Sequence, residues 1–244
     1  MNLEEKERIE IEFWKNSPTE NPTNFSTKNL LNKLSEAKVF YGVFKKHEDL
    51  FQNSETILEL GGGQGWASCL IKKEYSKKVY LSDISNYAIE SLKNWEKVFG
   101  VKIDHSFACK SYEIPLEDNS VDLVFAFAAA HHFVKHKKTL KEVKRVLKKG
   151  GRCIYMYEPS CRKFLYPLAY KRVNKKRPHV PEDVLITKEI MSIATDLGLK
   201  SYYEFHFSTI SRGPVATMYY YFLGKMPFLA NIIPCTCNYV FQKQ

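Results

Sequence analysis

The 244-residue chain predicts a doubly wound α/β fold: a seven-stranded, mostly parallel sheet with an antiparallel last strand, helices on both faces and an N-terminal helical extension. Three observations predict it. A short apolar run at Thr56–Leu60 (TILEL) enters a glycine cluster and then a helical pattern over 66–75, the strand, turn and helix of one βα unit. Val121–Phe127 (VDLVFAF) is the nearly continuous apolar run of a parallel strand buried on both faces. Strand and helix patterns alternate around these two, as in a sheet covered on both sides.

The elements follow in order. Residues 1–15 have helical spacing with Ile9, Phe13 and Trp14 on the apolar side, and Pro18 and Pro22 end that helix because neither fits a helix interior. A second helix starts at Ser26 or Thr27 and runs to about residue 50, with Leu30, Leu34, Ala37, Phe40, Tyr41 and Phe44 recurring on one side. After the first βα unit, 79–81 is a strand ending at Asp83, Ser85 caps a helix that reaches Phe99, and 102–108 is a third strand. Beyond Val121–Phe127, a helix over about 137–147 stops at Gly150-Gly151 before a strand at 152–157. Residues 187–197 form a helix, 200–205 the sixth strand and 238–242 the last. The resulting division is an N-terminal extension or lid over 1–50 and a main domain over 51–244, with insertions at about 159–184 and 212–236.

Composition excludes several classes. With 44% hydrophobic and 14% aromatic residues the chain can bury a core, and 11 Gly and 10 Pro are too few for collagen-like or low-complexity character. The start, MNLEEKERIEIEFW, has acids where a secretory leader has a basic and then an apolar stretch, and no run approaches the ~18 apolar residues of a spanning helix. A cytoplasmic protein without a membrane span is the expectation. The six cysteines are scattered through apolar segments and read as reduced thiols. Cys235-Thr-Cys237 has no second ligand pair at zinc-finger spacing, so it reads as packing and no metal site is expected.

The glycine cluster carries the first functional signal. Glu59-Leu60-Gly61-Gly62-Gly63-Gln64-Gly65 lies where the first strand meets its helix, so the backbone can turn sharply and approach a ligand. Twenty residues beyond Gly63, Asp83 ends the second strand, where a carboxylate can accept hydrogen bonds from the two hydroxyls of a ribose. A dinucleotide fingerprint started at Gly61 and Gly63 needs a third glycine at position 66, which is Trp66. Glu59 also places a carboxylate beside the turn, repelling a pyrophosphate and attracting a cation.

On these residues the chain resembles the class I S-adenosylmethionine-dependent methyltransferases of the small-molecule type. The resemblance rests on ELGGGQG at 59–65, Ser82-Asp83-Ile84-Ser85, IPLEDNSVDLV at 114–124, His131-His132 and LKEVKRVLKKGG at 140–151, and covers roughly residues 55–158. It implies S-adenosylmethionine as cofactor, whose sulfonium and ammonium suit the acid and which carries no phosphate. It implies further that Glu59, Gly61, Gly62, Gly63 and Gln64 contact the methionine end, Asp83 holds the ribose, Ile84 packs on the adenine, and Lys110 and Ser111 meet the adenine edge. Lys110 departs from the acid that many members have there.

Chemistry is expected at the carboxyl ends of strands four and five. Ala128-Ala129-Ala130 are small enough for cofactor and acceptor to approach, and His132 is the candidate general base because an imidazole titrates near neutrality. A structural role in the loop is its alternative. Glu158 is the second candidate base or substrate anchor. Trp14 and Tyr41 are candidates for a lid, whereas His105, His136, His179 and His206 read as surface or packing residues.

Charge is concentrated in one segment. Sixteen Lys and Arg lie between Lys135 and Arg177 against Glu142 and Glu158, an excess greater than the chain's whole net charge of +10. The stretch 162–177, with aromatic and apolar residues between its cations, is expected to hang over the acceptor pocket. The apolar stretch 218–234 is expected to complete a hydrophobic pocket or to form a homodimer contact. The resulting expectation is methyl transfer to oxygen of a small or amphipathic acceptor bearing an anionic group. Its rivals are an RNA methyltransferase using residues 135–177, a non-catalytic S-adenosylmethionine-binding protein and, more distantly, an NAD-dependent oxidoreductase.

Overall fold

A computed structural model describes residues 3–17, 25–175 and 182–244 of the protein. The proline break at 18–22 and residues Lys176, Arg177 and His179 lie outside the described residues. In chain order the elements are α1 (Leu3–Asn16), α2 (Thr27–Lys46), α3 (Glu48–Gln52), β1 (Thr56–Leu60), α4 (Trp66–Tyr75), β2 (Lys78–Asp83), α5 (Asn86–Glu90), α6 (Leu92–Phe99), β3 (His105–Ala108) and β4 (Val121–Phe127). There follow α7 (His136–Val146), β5 (Leu147–Cys161), α8 (Tyr166–Asn174), β6 (Leu185–Ile186), α9 (Thr187–Asp196), β7 (Leu199–His206), α10 (Pro214–Lys225) and β8 (Cys235–Lys243). Short 3-10 turns occupy Ala130–His132, Lys163–Leu165 and Pro227–Asn231.

The sheet runs β3-β2-β1-β4-β5-β8-β7, parallel from β3 to β5, with β8 antiparallel to both its neighbours. This is the doubly wound, mostly parallel sheet expected from the sequence. The two-residue β6, which pairs with the end of β5, is an addition too short to show any periodicity.

Alternation along the strands sorts the core into two layers. Leu58, Leu60, Val124, Ala126, Cys153 and Tyr155 face one layer with Leu140, Val143 and Ile190 of α7 and α9. Ile57, Leu123, Phe125, Ile154 and Met156 face the other with Phe40, Phe44, Ile71 and Trp95 of α2, α4 and α6. The central strands are apolar on both faces because both are covered, as the run at Val121–Phe127 predicts. The order breaks at one place. Tyr157 has φ +63°, the β5–β8 register slips between Tyr155 and Glu158, and the Tyr157 side chain packs in the same layer as Met156. A bulge of this kind re-aims the next side chain, and here that side chain is Glu158.

Boundaries differ from expectation where side chains tie the backbone. β3 starts at His105, after 102–104, because the Ile103 N–H donates to Glu96 (3.0 Å) and Asp104 accepts from the Val79 N–H (2.8 Å). The helix expected over 85–99 is two, joined at Ser91. Ser26 caps α2 through its hydroxyl, as its type suggests. However, α2 buries Asn29, Lys33, Val39, Phe40, Val43 and Phe44, leaving Leu34 and Tyr41 half exposed. The buried stripe starts with two polar residues because that end of the helix faces the site described below.

The two late insertions form α8 and α10 with their adjoining turns. Tyr219, Tyr220 and Leu223 of α10 pack on Phe205, Phe207 and Cys235, while Val215, Met218, Tyr221 and Phe222 face outward. Among the described residues no helix is long and apolar enough to cross a membrane. All six cysteines are free thiols.

Candidate active site

A cavity of about 590 Å³ opens at the carboxyl ends of β1, β2 and β4. Its lining includes the expected Gly61, Asp83, Ile84, Lys110, Ser111, Ala128 and His132, together with Phe13 and Trp14 from α1 and Phe133. Gly61 has φ +71°, a left-handed backbone that side chains rarely adopt, and a Cβ there would stand 3.1 Å from both Ala129 and Phe133. At Gly62 a Cβ would lie 2.4 Å from Leu81 and 2.6 Å from Glu59, so the turn has no room for one. These contacts, more than cofactor approach alone, fix the glycines.

Asp83 organises the turn. Its Oδ2 accepts from the Gly63 N–H (2.8 Å) and its Oδ1 from the Ser85 N–H (3.0 Å). Each oxygen keeps a second lone pair, enough for the two hydroxyls of a ribose. Burial pushes its carboxyl up to about 6, against the pull of those two backbone N–H groups. Four of the expected cofactor contacts, Glu59, Gly62, Gly63 and Gln64, are off the cavity lining. Glu59 is buried behind the turn, off the cavity lining, where its Oε2 accepts from the backbone N–H (3.0 Å) and hydroxyl of Ser68. Burial pushes it up to about 8, so at neutral pH it carries a proton more often than the charge expected from the sequence. Gln64 also points away: its Oε1 accepts from Asn29 Nδ2 (3.1 Å) and Trp95 Nε1 (2.9 Å), linking α2 and α6 to the turn.

The loop after β4 is held from beneath by Glu158. Fully buried, it accepts at Oε1 from the N–H groups of Ala129 (3.0 Å) and Ala130 (2.9 Å), and at Oε2 from the N–H of His131 (3.0 Å). His131 Nδ1 also lies 2.7 Å from Oε2. Ala128, at φ +48°, is strained for a residue with a Cβ, and this clamp keeps the chain there. Glu158 therefore stands off the cavity with its acceptor capacity largely used, and the expectation that it is a base or substrate anchor gives way to that of a positioning residue. His132 lines the cavity; its Nδ1 stands 2.6 Å from Oε1 of Glu10, and its Nε2 3.7 Å from Oε2 of Glu182. Sequence reasoning missed both acids. Glu7, Glu10 and Phe13 recur three residues apart on α1, a face that could have been recognised, and Glu7 pairs with Lys110 (3.3 Å) and Tyr112. No local pattern marks Glu182, which α8 holds in place: Asn174 accepts from its N–H (2.9 Å) and donates to its carbonyl (2.8 Å).

The insertion after β5 thus brings an acid to the cavity, where its cations were expected. No described lysine or arginine of 135–177 lines the cavity, and neither does any residue of 218–234. α10 packs on the β7–β8 end of the sheet instead. Among the described residues the charged lining residues are Glu7, Glu10, Glu36, Asp83 and Glu182 against Lys33 and Lys110, a surplus of acid that suits a cationic ligand. Of the two lid candidates, Trp14 reaches the cavity with its ring 3.0 Å from where a Cβ on Gly63 would stand, whereas Tyr41 does not line it. These residues fit S-adenosylmethionine: a carboxylate with two free lone pairs, an apolar neighbour in Ile84, and acid around a sulfonium.

Residues 58–155 match the methyltransferase domain family. An uncharacterized methyltransferase of Schizosaccharomyces pombe is 34% identical over 99 residues, 41% of this chain and 37% of the relative. The uncharacterized methyltransferase YcgJ of Bacillus subtilis is 28% identical over 128 residues, 48% of this chain and 50% of the relative. The chain therefore matches half or less of the length of these curated relatives. In structure it is similar to geranyl diphosphate C-methyltransferase from Streptomyces coelicolor, solved with Mg2+, geranyl diphosphate and S-adenosyl-L-homocysteine (TM-score 0.66, 12% identity, 88% of this chain and 81% of that one). The chain thus carries a methyltransferase domain over residues 58–155, within the fold of the class I S-adenosylmethionine-dependent methyltransferases.

Proposed function

We propose that the protein transfers the methyl group of S-adenosylmethionine to an oxygen of a small or amphipathic acceptor. The observation that carries the reading is the division of the cavity wall: Gly61, Asp83 and Ile84 on the β1–β2 side, and Ala128, His132 and Phe133 on the loop after β4. The bound cofactor supplies an electrophilic methyl on a sulfonium. Asp83 accepts the ribose hydroxyls, and Lys110 and Ser111 border the adenine.

His132 is the group that meets the acceptor. Glu10 stands 2.6 Å from its Nδ1 without forming a hydrogen bond to it, and Nε2 would take the proton of an acceptor hydroxyl. Trp14 and Phe13 close the cavity over the reactants, so α1 acts as a lid that excludes water. An anionic group on the acceptor would find Lys33 and Lys110 but not the basic segment. Among the described residues that segment brings no cation to the cavity lining, so it adds no support there for RNA binding. A homodimer through the outward face of α10 belongs to the same reading, and sedimentation at micromolar concentration tests it.

His132→Ala tests the central role. Turnover falls about 10²–10⁴-fold, the usual worth of a positioned general base, while cofactor affinity stays within about threefold. An unchanged rate returns His132 to the loop's framework.

A further inference from the structure

We infer that His131, His132 and Glu182 form a binding site for one divalent transition-metal ion on the acceptor side of the cavity. Nε2 of His131 lies 2.7 Å and Nε2 of His132 lies 3.7 Å from the same Oε2 of Glu182, and the three residues each offer a ligand atom within 4.8 Å of the others. Donors about 2.0–2.2 Å from an ion in tetrahedral geometry stand about 3.3 Å apart, so changes of about 1.5 Å or less in their separations would bring these three onto one centre.

The outer contacts point to the same occupant. Each ring has its Nδ1 beside a carboxylate, His131 with Glu158 at 2.7 Å and His132 with Glu10 at 2.6 Å. Only His131 has the hydrogen-bonded carboxylate–histidine arrangement that usually orients a ligating imidazole, since Nδ1 of His132 forms no hydrogen bond to Glu10; the two Nε2 atoms stand 2.7 and 3.7 Å from Glu182. Three carboxylates, Glu10, Glu158 and Glu182, surround two imidazoles, so a divalent cation offsets a local excess of negative charge. Two of the three ligands, His131 and Glu182, are also positioned through their backbones. Glu158 accepts from the backbone N–H of His131, and Asn174 holds Glu182 through both of its backbone groups.

Two histidines and one carboxylate with a further coordination position suit zinc or iron(II) better than magnesium, which prefers an all-oxygen shell. His132 and Glu182 line the cavity, so that position faces the acceptor. A hydroxyl, carboxylate or phosphate oxygen would complete the shell, and the ion would supply the positive charge that the acidic wall lacks. With an ion bound, Nε2 of His132 would be a ligand instead of the base, and the ion would supply Lewis acidity to activate the acceptor hydroxyl. The inference deepens the proposed methyl transfer, but metal binding can be tested without cofactor or acceptor.

The test is a Zn2+ titration of chelator-stripped full-length protein against a chromophoric chelator, with Co2+ as the spectroscopic probe. One tight site per chain is expected, with Co2+ d–d bands of nitrogen and oxygen ligation. Glu182→Gln and His132→Asn should each weaken Zn2+ binding at least 100-fold, and Glu158→Gln about 10–100-fold through ring orientation. Circular dichroism and thermal melting establish which variants fold, and either of the two ligand variants suffices. Absence of stoichiometric binding overturns the site, as does wild-type affinity in a folded Glu182→Gln or His132→Asn variant. A thiolate-to-cobalt charge-transfer band overturns it as well, because the ion would then be on the cysteines.

Discussion

Glu158→Gln puts the clamp under the β4 loop to a quantitative test. The carboxylate accepts three backbone N–H groups, at 2.9 to 3.0 Å, and stands 2.7 Å from His131 Nδ1, all without solvent. A glutamine keeps one carbonyl oxygen, which can serve Ala129 and Ala130, but its amide NH₂ then faces the N–H of His131, donor against donor. One buried N–H left unsatisfied costs about 1–3 kcal/mol, and exchanging a charge-assisted bond for a neutral one costs about 1 more. The sum is about 2–4 kcal/mol. For a domain of this size each kcal/mol moves Tm by about 2–4 °C, so a fall of about 4–16 °C is expected in a thermal melt. Hydrogen exchange should speed up at the amides of residues 129–131 in particular. A Tm within about 1 °C of the parent, with unchanged exchange at those amides, would refute the clamp.

Two further outcomes follow from the cofactor side. Asp83 holds a proton below about 6 because of burial, and a cationic cofactor binds its ionised form, so affinity should drop about tenfold between pH 7.5 and pH 5, measured by calorimetry. The group's own effect on stability has the opposite sign: its raised value favours the folded chain at acid pH, and that contribution fades as pH rises from about 4 through 6. Trp14 is the tryptophan of α1 and lines the cavity, whereas Trp66 and Trp95 lie buried in the core. Cofactor addition should change the intrinsic fluorescence of the parent protein and leave that of Trp14→Phe nearly constant; equal changes in both would remove α1 from the lid.

Legibility in the sequence tracked the range of the interactions involved. The sheet was legible because alternation and apolar runs are local, and Gly61, Asp83, Ile84 and Ala128 were placed at the cavity because strand ends and turns position them within a few residues. Glu59 and Gln64 were misplaced for the same reason: the motif locates the backbone of the turn, but Ser68, Asn29 and Trp95 decide where the two side chains point. Glu158 was found at the right strand end, yet its direction depends on the bulge at Tyr157, which carries no turn residue to mark it. The basic segment misled most. Its described cations are close in sequence to the site but lie off the cavity lining, while the group that the insertion after β5 brings to it is the carboxylate of Glu182. Glu10 and Glu182 approach His132 from about 120 residues before it and about 50 after it in the chain, and no local pattern reports such a meeting.

The claim on which the rest depends is that the β1–β2 turn holds S-adenosylmethionine through Asp83. Calorimetric titration of the parent protein and of Asp83→Asn with S-adenosylhomocysteine measures it directly. One site per chain is expected, weakened about 10–100-fold in the variant, since hydrogen bonds to a charged group contribute about 1.5–3 kcal/mol. No binding to the parent, or equal affinity in both, would contradict the account.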